Sequence, residues 1–534
     1  MNGLTYSTIY PDIYETFKDG NDFEHIIDNY IIETHSDDPQ KRDYLLSLSK
    51  REKRLKALSL RTKDLYDWSS LINKITGSRV SNVDHLKQII RDFREFIKKA
   101  KVEDKVFGEV MTPLDELARP MVDLVEKYDA DFWKTPKKVL DSSAGIGTFL
   151  VICAAKFMNG LKDYPGLEDP EIRFKFIVEN CLYYGELQSG NASLWLSVID
   201  PYDEYITNTF WGSFLSDKDG KYNSDLNGVF DKHMKEVWKV DKFDLIIQNP
   251  PYSYLKETDK NKNSKNPKTQ PMWQFFVQKS IKILKECGFM VMVHPGGWRD
   301  LDGVFKETQN LLKERKILEL HMFPFKSGLD MFKAKTNFDY YILKNEKNDG
   351  CITEIHCEND TIERLNLLDL DYIPGENIIY INSLFAKDND SKIKFISNST
   401  YHTQQGQKSG FISKVASNIH KLPVVYMVSY KDVPTFTYSS LNRFNAEHRG
   451  HFGFSKVIWA QGSSGVIIDN NGDYGMSEFS AAIFDKSENL ENIKKALQSD
   501  KFIKEVMLFK NGLGNKYNNK VISMLKKDFW REFI

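Results

Sequence analysis

KKVLDSSAGIGTFLVICAAKF, residues 137–157, changes its hydrophobic pattern twice. The apolar run 138–140 reads as a strand ending at Asp141, Gly145 and Gly147 permit a close turn, and a helix is expected from about Thr148, through 149–158. Glycines without Cβ let backbone approach a ligand, and the first turn of a helix leaves N–H groups unpaired. A strand, a glycine turn and a helix in this order point to an α/β domain. The turn itself could hold a dinucleotide, a phosphate or merely a tight bend. Leu150 stands where the third glycine of GxGxxG would fall, and no GKS or GKT follows, which disfavours a nucleoside-triphosphatase P-loop.

Outward from this unit, residues 106–344 alternate short apolar runs with helix-like segments. Strands are expected at 181–184, 243–248, 288–294 and 317–323, with 338–343 returning beside the last. Residues 273–284 put Trp273, Phe276, Val277, Ile281 and Leu284 on one helical side, a core pattern. Glu186 follows the second strand in CLYYGELQ, where a carboxylate can accept hydrogen bonds from two ribose hydroxyls; alone it would be an ordinary surface acid. In FDLIIQNPPYSYL, residues 243–255, an apolar strand delivers Asn249, Pro250, Pro251 and Tyr252 to the carboxyl end of the sheet, where open α/β folds have their sites. The prolines restrain the loop and cannot donate, but their carbonyls and the Asn249 amide oxygen accept. Together they suit an amino group, with Tyr252 able to stack on its planar ring.

At 534 residues and 41% hydrophobic, the chain exceeds one typical core and is not mostly disordered. Its 74 Lys and Arg against 75 Asp and Glu argue against a wholly basic nucleic-acid coat, while leaving room for a local basic face. Residues 41–63 offer one, with nine Lys and Arg facing only Asp43 and Glu52, although a solvated helix is the commoner meaning of such a run. The expected division is a helical N-terminal region (1–100), the α/β domain (101–345) and a separate α+β C-terminal domain (346–534). In the last, strand-like pieces at 424–430, 456–459 and 466–468 precede a helical close near 489–511. Polar insertions at 216–228 and 256–270 interrupt the α/β domain, and the second, carrying five lysines, is expected to be an exposed loop. Five scattered cysteines suit a reducing, cytoplasmic compartment. No apolar stretch approaches a membrane span, and the opening MNGLTYSTIYPD offers neither a basic leader nor an apolar targeting core. Without HExxH or a close Cys/His grouping no metal is expected, and His294, His321 and His356 should be structural or exposed.

The glycine turn followed roughly a hundred residues later by NPPY resembles the S-adenosylmethionine-dependent adenine-N6 DNA methyltransferases. The likeness is to the group ordered as cofactor motif, catalytic motif and C-terminal target-recognition domain, as in methylases of restriction-modification systems. DSSAGIGTFL resembles the family's D-P-A-C-G-S-G-x-F-L at Asp141, Gly145, Gly147, Phe149 and Leu150, and departs from it at Ser142, Ser143, Ala144 and Ile146. NPPY at 249–252 matches in full. FGEVMTPLDELARPMVDLV, residues 107–125, is similar to the element G-x-x-x-T-P and its helix, and residues 275–298 to the helix, strand and proline-bearing loop after NPPY. Where the family often has G-D-S-L or G-N-S-L near the adenine ring of the cofactor, this chain has Gly212-Ser213-Phe214-Leu215, with Asp217 nearby. The likeness covers roughly residues 106–345.

The resemblance implies a Rossmann-like methyltransferase mixed sheet that binds S-adenosyl-L-methionine. Thr112 and Pro113 would lie beside the methionyl end, Asp141 near its amino group, Gly145 and Gly147 in the turn, and Glu186 on the ribose. It implies methyl transfer to N6 of an adenine flipped out of double-stranded DNA, with Asn249 and the Pro250 carbonyl taking the amino protons, Pro251 shaping the loop and Tyr252 stacking. Trp298 would be a second aromatic wall, or else packing. In NRFNAEHRGHFGFSK, residues 442–456, Arg443, Arg449 and Lys456 are candidate DNA contacts, with His448 and His451 beside them, against the plainer alternative of a solvated loop pair. A separate restriction endonuclease fits as a partner; a membrane does not. The alternatives are an RNA-adenine or protein-glutamine methyltransferase, the methylase component of a restriction-modification assembly, and a DNA-binding relic of the fold.

Overall fold

The computed structural model describes residues 28, 31–32, 35–48, 112–188, 191–192, 195–196, 199–200, 204–215, 222–255, 269–300, 303–332, 334, 336–389, 391–397, 401–441, 451–460, 465–507 and 517–534. Most of the expected helical N-terminal region, the basic stretch beyond Leu48 and much of both polar insertions lie outside the described residues. Two compact units divide the chain: residues 1–298, 307–358 and 364–368, and residues 299–306, 359–363 and 369–534.

In the first unit the strands are β1 (Val139–Asp141), β2 (Leu182–Glu186), β3 (Asn208–Trp211), β4 (Phe243–Gln248), a separate ribbon of β5 (Ser253–Leu255) and β6 (Thr269–Pro271), then β7 (Leu284–Pro295), β8 (Arg315–Phe323), β9 (Phe338–Lys347), β10 (Thr353–His356) and the second half of β11 (Ile362–Leu365). Apart from the ribbon they form one sheet in the order β11-β10-β8-β9-β7-β4-β1-β2-β3. β1 pairs in parallel with β2 on one side and β4 on the other, β2 with β3, and β4 with β7, whereas β9 runs antiparallel between β7 and β8. This is the Rossmann-like mixed sheet expected, with β9 returning beside β8. The order of connection reverses at β1, and in such sheets the crevice beyond the carboxyl ends at that reversal is the ligand site.

The central strands read as unbroken apolar runs because both faces are covered: Leu245, Ile246 and Ile247 of β4 and Met290 to Val293 of β7 are fully buried. Helix α1 (Arg119–Tyr128) turns Met121, Val122, Leu124 and Val125 inward, and α2 (Thr148–Gly160), buried along most of its length, joins the same core. Helix α3 (Trp273–Ile283) buries Trp273, Phe276, Val277 and Ile281, as its spacing predicts. Strands β10 and β11 carry the sheet beyond the expected boundary at residue 345, because β10 pairs in parallel with β8.

The second unit holds two four-stranded sheets. One runs β12 (Lys394–Ile396), β19 (Ser480–Phe484), β16 (Lys456–Ala460) and β17 (Val466–Asp469); the other runs β13 (Ile412–Ser413), β15 (Pro434–Ser439), β14 (Leu422–Val428) and β18 (Gly475–Met476). Helix α4 (Ser487–Gln498) presents Leu490, Ile493 and Leu497 to a core that includes Val457 and Trp459 of β16. Among the described residues no helix is long and apolar enough to cross a membrane.

Candidate active site

The turn after β1 is built around its glycines. Gly145 (φ 53°) and Gly147 (φ 86°) both take left-handed backbone, and a Cβ at Gly147 would lie 2.2 Å from a ring carbon of Trp195. Trp195 in turn stacks flat on Tyr184, with ring centroids 5.1 Å apart, and the Tyr184 hydroxyl donates to the Gly145 carbonyl at 2.5 Å. Glu186 secures the same turn, accepting from Gly145 N and Gln188 N, each at 2.8 Å. Asp141 is buried and accepts from Ser143 N at 3.1 Å. Burial, with Glu186 adding to it, pushes its carboxyl well above the usual range despite that bond, an environment that a cationic ammonium partner would reverse.

β4 ends at Gln248, and Asn249 follows in the loop. The Asn249 side-chain amide donates from Nδ2 to Thr112 Oγ1 at 3.1 Å, while Ser143 Oγ donates to the Asn249 carbonyl at 3.2 Å. One residue earlier, Ser142 Oγ donates to Gln248 Oε1, and Gln248 Nε2 reaches Ser280 Oγ of α3 at 2.7 Å. The two serines that depart from the family pattern thus tie the glycine turn to the Asn-Pro-Pro loop. Tyr252 meets Phe332 edge-on at 6.3 Å, and its hydroxyl is buried with no partner among the described residues. Burial, with Asp339 nearby, raises the ionisation of that hydroxyl above its usual range.

One cleft borders both loops. It is partly open to solvent. Asp141, Gly145 and Glu186 line it together with Thr112, Asn249 and Pro251, the Gly212-Ser213-Phe214-Leu215 segment, and the apolar side chains of Phe149, Met272 and Phe276. Gly147, Pro113, Pro250 and Tyr252 belong to the same loops without lining it. An acidic residue at each of two positions, a Cβ-free turn and apolar walls form a donor set that fits S-adenosylmethionine. Sequence patterns marked Ser142 and Ser143 only as departures and did not single out Gln248, Ser280 or Trp195, and Phe276, assigned to the core, also lines the cleft.

Several expectations need correction. Trp298 is buried and donates from Nε1 to Asp339 at 2.8 Å, so it packs and offers no aromatic wall. Lys456 is 0% exposed and its ammonium is paired with Asp469 at 2.5 Å, so it is not available to DNA phosphate. His451 is likewise buried, accepting on Nδ1 from Met476 N. Arg443, His448, Arg449 and Asp217 lie outside the described residues. Of the three histidines singled out, His294 is buried and stacked on Trp273 at 4.1 Å, and His321 and His356, both partly exposed, meet at Glu319, a grouping that sequence spacing does not show.

A Rossmann-like sheet whose glycine turn and Asn-Pro-Pro loop share a cleft defines the setting for comparison with known proteins. Residues 186–329 match the family described as Eco57I restriction-modification methylase, which supports a methylase of the restriction-modification type for that segment. No curated protein matches the chain. Among solved structures, the modification subunit of a putative type I restriction enzyme from Vibrio vulnificus YJ016 is 17% identical with a TM-score of 0.36, over 54% of this chain and 55% of that one. A putative class I S-adenosylmethionine-dependent methyltransferase from Listeria monocytogenes is 15% identical with a TM-score of 0.35, over 62% of this chain and 91% of that one. A nuclease-deletion mutant of the Type ISP restriction-modification enzyme LlaGI, in complex with a DNA substrate mimic, is 13% identical with a TM-score of 0.47, over 98% and 56%. The alignment thus spans little more than half the length of the first and third of these proteins.

Proposed function

We propose that this chain transfers the methyl group of S-adenosylmethionine to N6 of an adenine extruded from double-stranded DNA. The observation that carries the proposal is the shared cleft, lined both by Asp141, Gly145 and Glu186 and by Asn249 and Pro251. Bound there, the cofactor supplies a methyl group on a positively charged sulfur, which calls for an aligned nucleophile more than for acid catalysis. Asp141 pairs with its ammonium and Glu186 takes the ribose hydroxyls.

Adenine N6 is a weak nucleophile because its lone pair is delocalised into the ring. The Asn249 amide oxygen and the Pro250 carbonyl would accept hydrogen bonds from its two N–H groups, favour a tetrahedral nitrogen and aim the lone pair at the methyl. Such orientation and preorganisation contribute several kcal/mol without a nucleophilic Cys or His. Thr112, by accepting from Nδ2, fixes which end of the Asn249 amide is anchored, and Ser143 steadies the backbone behind it. As the N6–CH3 bond forms the S–CH3 bond breaks, the sulfur leaves as a neutral thioether, and the cationic N6 then gives one proton to solvent. Extruding the base costs a few kcal/mol, and stacking on Tyr252 returns about 1–3 kcal/mol.

The second unit is the reader of base sequence, with Arg443 and Arg449 as candidate contacts. The family likeness favours a restriction-modification setting, and a separate endonuclease is the partner proposed for it. Tritiated S-adenosylmethionine offered with duplex DNA, RNA and protein tests the substrate class. N6-methyladenine in the duplex is the expected product, and labelling of RNA or protein without DNA would overturn the proposal.

A further inference from the structure

β8 and β10 pair in parallel with Glu319 opposite Glu354 and His321 opposite His356. Two carboxylates and two imidazoles therefore occupy the first and third of three consecutive ladder steps, with Leu320 opposite Ile355 between them, so they are spaced i, i+2 on each strand and lie on one face. His321 Nε2 lies 2.8 Å and His356 Nε2 3.2 Å from the same Glu319 oxygen, Oε1, and His356 Nε2 is 3.2 Å from Glu354 Oε1. The imidazole rings are stacked 4.0 Å apart, 10° from parallel, bringing the two nitrogens side by side. One ligand atom each from Glu319, His321 and His356 fall within 4.8 Å of one another.

We propose that Glu319, His321, His356 and Glu354 form a binding site for a divalent transition-metal ion of the zinc class. Tetrahedral zinc with bonds of about 2.0–2.1 Å keeps its ligand atoms about 3.3 Å apart, close to the spacings already present. Two imidazoles with carboxylates are a ligand set for zinc and its neighbours, whereas calcium and magnesium favour oxygen alone. The surroundings supply the outer hydrogen bonds that such a site needs. Glu319, only 2% exposed, receives the Tyr128 hydroxyl on Oε2 at 2.8 Å, and the Lys127 ammonium on the same oxygen, leaving Oε1 toward the histidines. Glu354 Oε2 is held by Arg364. His321 and His356 are partly open, giving an ion a way in.

Lys127 is the competing cation. Its half-exposed side chain also reaches Glu354 Oε1 at 3.3 Å, the oxygen that a metal would take, and it is long enough to swing into solvent. None of these residues lines the methyl-transfer cleft, so the site is independent of the proposed chemistry and would clamp β10 to β8.

The test is titration of the chelator-treated full chain with zinc chloride by calorimetry, with cobalt(II) absorption reporting geometry. One ion per chain in the four-coordinate cobalt band is expected. His321→Gln and His356→Gln should weaken binding at least about tenfold. Lys127→Met, which removes no ligand, should strengthen it several-fold, and this keeps the test alive if a histidine variant folds poorly. No zinc binding by the wild-type chain, meaning a hydrogen-bonded cluster only, would overturn the proposal. Equal affinity in wild type and in both His321→Gln and His356→Gln, or no gain in Lys127→Met, would do the same.

Discussion

Asn249 is where the account is most exposed at the scale of a residue, because its amide serves two masters: Nδ2 is anchored on Thr112 and the oxygen is assigned to adenine. Asn249→Ala should lower kcat by at least about a hundredfold, as loss of a preorganised polar group does, while S-adenosylmethionine affinity by calorimetry stays within about threefold. Thr112 acts through Asn249 as a positioning residue. Thr112→Val removes one hydrogen bond worth about 1 kcal/mol, so kcat should fall about five- to tenfold with little change in the KM for DNA, and Thr112→Ser should restore it. A KM effect in place of the kcat effect would contradict that role. Glu186 differs, since Glu186→Ala strips acceptors from Gly145 N and Gln188 N as well as from the ribose; cofactor Kd should rise at least about tenfold.

At the scale of elements, the turn between β1 and α2 is limited by a close approach and by handedness. Gly147→Ala must adopt φ near 86° and push its methyl into Trp195, a strain of about 2–4 kcal/mol that the midpoint of denaturant unfolding would register. This turn, β4 and β7 were legible in the sequence because buried parallel strands are apolar throughout and glycine marks left-handed backbone. β3 was not, since Asn208 and Thr209 interrupt a four-residue strand. β10 was missed for a related reason: Thr353–His356 alternates buried and half-exposed positions and earns its place only by pairing with β8. Nor could spacing reveal that Ser142 and Ser143 bond to residues 106 positions later, or that Lys456 sits opposite Asp469 across an antiparallel ladder. Local pattern shows which residues are polar, and only pairing shows which polar groups are already satisfied.

At the scale of the molecule, each unit carries a histidine buried as the neutral form. Burial lowers His294 in the first unit to about 4, against the pull of the Pro295 carbonyl, and burial with Lys456 lowers His451 in the second to about 4. The unfolded chain binds a proton on each at about pH 6.5, whereas the folded chain does so only near pH 4, so the unfolded state is favoured as pH falls through that window. Each group should cost on the order of 3 kcal/mol over the interval. Thermal unfolding followed from pH 7 to pH 4 should show the loss, and His294→Gln should narrow its deficit against wild type as pH drops. A constant deficit would contradict the buried neutral assignment.

The central claim is that one cleft receives both the methyl donor and an extruded adenine. The most direct measurement is a structure of the full chain with S-adenosylhomocysteine and a duplex carrying the adenine mapped by methylation. The account predicts the cofactor ribose on Glu186 and the adenine amino group about 3 Å from the Asn249 amide oxygen and the Pro250 carbonyl. A cofactor elsewhere on the sheet, or a target adenine still stacked in the helix while the cleft holds donor alone, would contradict it.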